Sequence, residues 1–73
     1  MQRWLYCFAG FGYAQGHWRL HSENEAAQAD WRKKGPTLFD YLNDLGNKGW
    51  ELAAAVSTDD DRLSLILKKH RSD

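Results

Sequence analysis

The sequence predicts an α+β domain: a small antiparallel sheet of about four strands in the order β-β-α-β-β, with one main helix packed on one face. Three features carry this expectation. The run from Trp4 to Tyr13 is aromatic, aliphatic or small throughout and holds no charge. Between Thr37 and Gly46, apolar residues recur at helical spacing behind a capping threonine. Two further strand-like runs, 50–56 and 62–68, flank the acidic turn Asp59-Asp60-Asp61.

The first run is too rich in Trp, Tyr, Phe and Gly for a helix and reads as a strand. Alternation places Trp4, Tyr6 and Phe8 on one face and Leu5, Cys7, Ala9, Phe11 and Tyr13 on the other. Both faces are apolar, whereas a strand of a one-layer sheet needs only one apolar face. The helix covers one side; the expected cover for the other is a second copy of the chain, with the intervening segment folded back as the alternative. Trp4, Tyr6, Phe8 and Phe11 are therefore candidate contact residues, joined by Trp18 and Trp31 as the aromatics expected to face a partner.

The segment Tyr13-Ala14-Gln15-Gly16 carries a turn signal, and His17 to His21 alternates, so the two runs form a hairpin. A loop at Ala14-Gln15 sets Trp18 opposite Phe11. A longer loop ending in a left-handed Gly16 sets it opposite Gly12, and this register is preferred because glycine takes that conformation without steric cost. Residues 22–36 form a variable excursion. Ser22-Glu23-Asn24-Glu25 fits a capping box leading into Ala26 to Ala29 and a short helix ending before Gly35, while a polar surface excursion anchored by Trp31 fits equally well.

In the main helix, Thr37 is the N-cap with Asp40 three residues on; Leu38, Tyr41, Leu42 and Leu45 form the apolar stripe, and Gly46 is the left-handed stop. Asn47-Lys48-Gly49 reverses the chain. Trp50, Leu52, Ala54 and Val56 are expected to share one face of the next strand, and Leu63, Leu65 and Leu67 one face of the last, after a turn from Ser57 to Asp61. Residues 70–73 are expected to be a disordered tail.

Composition bounds the rest. The 73 residues make one domain, 1–73. A chain this short buries only ~60% of the surface it exposes when unfolded, so a partner, metal or disulfide usually adds support. Disulfides within the chain are excluded because Cys7 is the only cysteine, and a lone buried thiol fits a reducing compartment. Neither a secretory signal nor a membrane span is expected, so the expected location is cytoplasmic, without membrane association. Ten basic residues balance ten acidic ones, which argues against a general phosphate-coating protein.

No catalytic constellation, metal site or cofactor is expected. His17 and His21 are four residues apart, which on a strand separates them by ~13 Å, too far to share one ion. The acidic turn lacks the spacing of a calcium loop. No serine lies in a nucleophile elbow, and Cys7 sits mid-strand in apolar surroundings that blunt a thiol. The chain is thus expected to be a non-enzymatic binding or protein-interaction module, a homo-oligomer or the partner of another protein. The alternative is a single-stranded nucleic-acid binder that uses sheet aromatics with Arg19, Lys68, Lys69 and Arg71.

The block from Leu42 to Leu52, with Leu45-Gly46-Asn47-Lys48-Gly49-Trp50-Glu51-Leu52 as its specific part, resembles the small bacterial domain-of-unknown-function family 4177. Trp4-Leu5-Tyr6 and Leu65 to Lys69 are similar to the opening Trp-x-Tyr strand and the basic-ended last strand of that family. The resemblance omits roughly residues 12–35. It implies a bacterial source and the fold above, and no assigned activity. Within the block, Gly46 and Gly49 are expected to close the helix and the turn, Trp50 to plug the core, Leu52 to continue the inward face, and Glu51 to pair with Lys68 or Lys69.

Overall fold

Two hairpins, one from each end of the chain, meet side by side to make the sheet. A computed structural model describes residues 3–71. These form β1 (Trp4–Ala14), β2 (His17–Glu23), β3 (Ala26–Ala27), α1 (Trp31–Lys34), α2 (Leu38–Asn47), β4 (Glu51–Asp59) and β5 (Arg62–His70). The described sheet is antiparallel with order β3-β2-β1-β5-β4, so the doubly apolar β1 lies at its centre. The α+β class and the antiparallel sheet stand as expected. The sheet has five strands rather than about four, because two residues of the 22–36 excursion add a short strand outside β2.

The first hairpin takes neither expected register. Tyr13 pairs with Trp18 and Ala14 with His17, which leaves a two-residue loop, Gln15-Gly16, with both residues left-handed at φ 54° and 83°. That is the primed turn whose twist suits a hairpin. Gly16 does the task assigned to it, but Gln15 shares it. Trp18 consequently lies on the helix side with Tyr13, ring centroids 5.3 Å apart, and packs against the core.

The excursion follows neither reading fully. Ser22 and Glu23 continue β2, so no capping box forms there. Asn24 and Glu25 turn through left-handed conformations into β3. A single helical turn, α1, ends at Gly35, which donates to the Trp31 carbonyl. Residues 35–37 then run along the outer edge of β2, where Leu20 N–H donates to the Pro36 carbonyl and Arg19 bridges Thr37.

In α2, Thr37 Oγ1 accepts the Asp40 N–H at 3.3 Å, the expected cap. The C-terminal end differs from expectation. Gly46 lies within the helix, Lys48 is the cap, and the left-handed residue is Gly49 at φ 92°. Two glycines stand in this stretch, and Trp50 N–H returns to the Leu45 carbonyl across Gly49. The core is Cys7, Ala9, Phe11, Leu20, Leu65 and Leu67 from the sheet, closed by Tyr41 and Leu45 from α2.

β4 also departs from simple alternation. A register shift between Leu52 and Ala54 makes Ala53 an extra residue. Leu52 pairs with Leu67 on the helix side, while Ala54 and Val56 pair with Ile66 and Ser64 on the opposite side, so the expected shared face is split. At the C-terminus His70 belongs to β5 opposite Trp4, and Arg71 N–H donates to the Arg3 carbonyl, so the expected disordered tail does not begin at 70. Residues 72 and 73 lie outside the described residues.

Candidate functional site

Directly paired residues of an antiparallel sheet share a face. The pairings therefore map the surface of the sheet turned away from α2. Along β1 the rows are Trp4 with His70; Tyr6 with Lys68 and Glu51; Phe8 with Ile66 and Ala54; Gly10 with Ser22, Ser64 and Val56; and Gly12 with Arg19, Arg62 and Asp59. No described element covers the middle of this face. Tyr6 is 59% exposed and Phe8 51%, whereas Phe11 on the helix side is 1% exposed. Of the expected contact residues, Trp4, Tyr6, Phe8 and Trp31 stand on the open face, while Phe11 and Trp18 belong to the other.

The open face has relief. Gly10 has no side chain to raise, so a depression of about 300 Å³ forms over it, walled by Phe8, Ser22, Ser64, Ile66 and Glu25. One row on, the Trp31 ring occupies the space over Gly12, its six-membered edge filling the place where a Cβ would stand. The guanidinium carbons of Arg32 and Arg62 lie 5.2 and 5.5 Å from its centroid, and the His21 ring stands edge-on at 5.2 Å. Among the described residues Arg19, Arg32 and Arg62 make no ion pair. Arg19 donates from Nη1 to the Gly35 carbonyl at 2.9 Å, and its buried Nε finds no partner. Sequence reasoning missed this cluster; Gly12 flanked by arginines across two strands becomes visible only once the pairings are known.

The basic set expected to serve nucleic acid is divided by the same alternation. Arg19 and Lys68 are on the open face. Lys69 pairs with Leu5 on the helix side and reaches over the Trp50 ring at 5.9 Å. Arg71 follows the last strand. Lys68 also lies over Trp4 at 4.5 Å and meets Glu51 at 3.6 Å, so Glu51 makes the ion pair expected of it. Both partners are substantially exposed, and such pairs contribute ~0–1 kcal/mol.

The sheet's two edges differ. β2 is bordered by β3 and by residues 35–37. All nine residues of β4 are exposed, and none of its outer backbone groups meets another described strand. This edge carries protection of its own. Register shifts flank Ala54 to Ser57, and a symmetric antiparallel pairing of two β4 strands about Ala55 would set Glu51 against Asp59.

Cys7 is buried and free. Tyr41 hydroxyl donates to Glu23 Oε2 at 2.6 Å. Having given its one hydrogen, it accepts from the Cys7 thiol at 3.4 Å. Burial, reinforced by these two hydrogen bonds, pushes the Tyr41 hydroxyl pKa far above the usual phenol range. The three groups form a hydrogen-bonded chain between sheet and helix, buried at Cys7 and Tyr41 and partly exposed at Glu23, with a structural role. Among the described residues no three His, Cys, Asp or Glu side chains come together as a metal site would require, and no helix is long and apolar enough to cross a membrane.

Comparison of the chain with known protein families, with curated proteins and with solved structures gives no match.

Proposed function

We propose that this chain is a non-enzymatic protein-interaction module that associates with itself through the open face of its sheet. One observation carries the reading: Tyr6, Phe8, Ile66, Ala54 and Val56 lie in adjacent rows of one face with no cover, while on β1 and β5 the opposite face holds the buried residues Cys7, Ala9, Phe11, Leu65 and Leu67 that Tyr41 and Leu45 of α2 close. Contiguous exposed apolar surface of this kind marks an interaction site. The small core supplies a reason for self-association, since a partner copy adds burial that 73 residues cannot provide alone. Membership of the family resembled by the Leu45 to Leu52 block, a bacterial source and a cytoplasmic location belong to the same proposal.

The test is solution mass by light scattering after size exclusion, across concentration. The wild type is expected to be a dimer or larger at tens of micromolar, and Phe8→Glu to be monomeric with unchanged helix and sheet content by circular dichroism. A monomeric wild type overturns the reading.

A second reading is favoured by the Trp31 cluster. Tyr6 and Phe8 are ~6.8 Å apart along β1, a spacing compatible with stacked bases, and Arg19, Arg62 and Lys68 lie on the same face. It predicts retention of single-stranded RNA or DNA that weakens steeply with salt and is lost in Arg62→Gln with Lys68→Gln.

A further inference from the structure

We infer that the second copy packs face to face, related by a two-fold axis that runs parallel to the strands between β1 and β5, so that the β2 margin of each copy meets the β4 margin of the other. This rests on the self-association proposed above and adds its geometry.

Area and shape come first. On the open face β1 and β5 span five rows, β4 four and β2 two, on the order of 500 Å² in projection at ordinary sheet spacings before side-chain relief is counted. A standard interface takes ~800 Å² of accessible surface per partner, so the face is large enough only if most of it is used. The edge-to-edge alternative is disfavoured by the register shifts of β4 and by the opposition of Glu51 to Asp59. The open face also holds a knob beside a hole. Phe8 protrudes one row from the depression over Gly10; the axis between β1 and β5 sets Phe8 against Ile66 and depression over depression, so this relief does not choose the orientation.

Charge decides the orientation of the axis. At the hairpin end, the β2 margin carries Arg19 with Arg32 and Lys33 of α1, against the single acid Asp30 at the start of that helix; the β4 margin carries Asp59, and Asp60 and Asp61 form the adjoining turn, where the Asp61 carbonyl accepts from Tyr13 N–H. An axis parallel to the strands exchanges the margins and brings these opposite charges together. It also sets β1 over β5 of the second copy, so Tyr6 faces Lys68, Trp31 faces Arg62 and Phe8 faces Ile66. An axis perpendicular to the strands keeps each margin over itself. Centred between the Phe8 and Gly10 rows, it sets Lys68 over Arg62 and Glu51 over Asp59; centred on the Phe8 row, it leaves Arg19 and Asp59 without opposite charges. The parallel axis has one adverse contact, Glu25 near Glu51, where Lys68 already pairs with Glu51. Interfacial charge of this pattern fixes register and excludes the wrong one.

The experiment uses two full-length variants, Asp59→Lys and the double variant Arg32→Glu with Lys33→Glu. Each alone sets like charges against each other twice per dimer, and is expected to dimerise roughly tenfold or more weakly than wild type. Mixed in equal amounts, they restore both attractive contacts. Native mass spectrometry is then expected to show heterodimer in excess over either homodimer, with circular dichroism of each variant as wild type. Variants that dimerise as well as wild type, or a mixture without heterodimer preference, overturn this geometry while leaving self-association standing. A monomeric wild type overturns both. If the double variant loses its fold, Lys33→Glu alone takes its place, with the same preference for Asp59→Lys expected at smaller excess.

Discussion

Phe8 and Phe11 lie three residues apart on the central strand, one half exposed and the other sealed. Nothing in their chemistry separates them. Strand alternation sends them to opposite faces, and α2 closes one face by laying Tyr41 and Leu45 over it. The open face keeps its apolar character without a cover from this chain. The two apolar faces of β1 thus end differently, one in the core and one exposed, and across the whole sheet the open face also carries Arg19, Glu51, Asp59, Arg62 and Lys68. The difference comes from one connection, residues 35–37, which carries the chain along the β2 edge and delivers α2 to one side.

The strongest way to break this comparison is truncation on the two faces. Phe11→Ala empties a buried site and is expected to cost about 3–5 kcal/mol in urea unfolding, enough to threaten the fold. Phe8→Ala is expected to cost no more than about 1 kcal/mol when unfolding is measured on monomer at low concentration, and to weaken association instead. Equal losses in monomer stability would mean that the open face is closed within a single chain.

A sharper test concerns the polar chain on the covered face. Tyr41→Phe leaves the Glu23 carboxylate and the Cys7 thiol without their shared partner, with an expected loss of about 1–3 kcal/mol. The pH dependence has a definite sign. Folding raises the Tyr41 pKa above its unfolded value near 10, so below that pH the proton is bound in both states and stability is unaffected by it. As pH rises past about 10, the unfolded chain releases the proton and the folded chain keeps it, so stability falls by up to about 1.4 kcal/mol per pH unit. The gap in denaturant midpoint between wild type and Tyr41→Phe is therefore expected to narrow as pH rises above about 10. Parallel curves would show that Tyr41 is not shielded as described.

The smallest effect belongs to the open face. Glu51→Gln removes the ion pair with Lys68 and is expected to change monomer stability by less than about 1 kcal/mol. A larger loss would assign that pair a structural role that its exposure argues against.

What was legible in the sequence was local. Thr37 caps α2 because its hydroxyl reaches an amide three residues away, and the alternation along β1 follows from the pleat. The pairing of Glu51 with Lys68 was within reach because two adjoining strands leave few partners. The failures have physical causes too. Gln15 takes a left-handed conformation that its residue type seldom adopts, which moved the hairpin register and sent Trp18 to the helix side. Three consecutive alanines hide the bulge at Ala53, since an alternating pattern cannot be read from identical residues. Gly46 and Gly49 offered two stops, and the hydrogen bond from Trp50 to Leu45 selects the second.

The candidate surface was legible by half. Residues 4, 6 and 8 formed one apolar set and the odd residues another on sequence alone, but either could have been the core. That choice required knowing where α2 lies. Trp31 was visible as an aromatic in need of a site, but its docking over Gly12 between Arg32 and Arg62 joins residues from three separate parts of the chain. The sequence by itself determined the periods, the cap and the unpaired cysteine, because these depend on neighbours within a turn or a pleat. Only the tertiary structure decided which apolar face is closed, which edge is bordered and which cations gather around Trp31, because burial is a property of distant segments brought together.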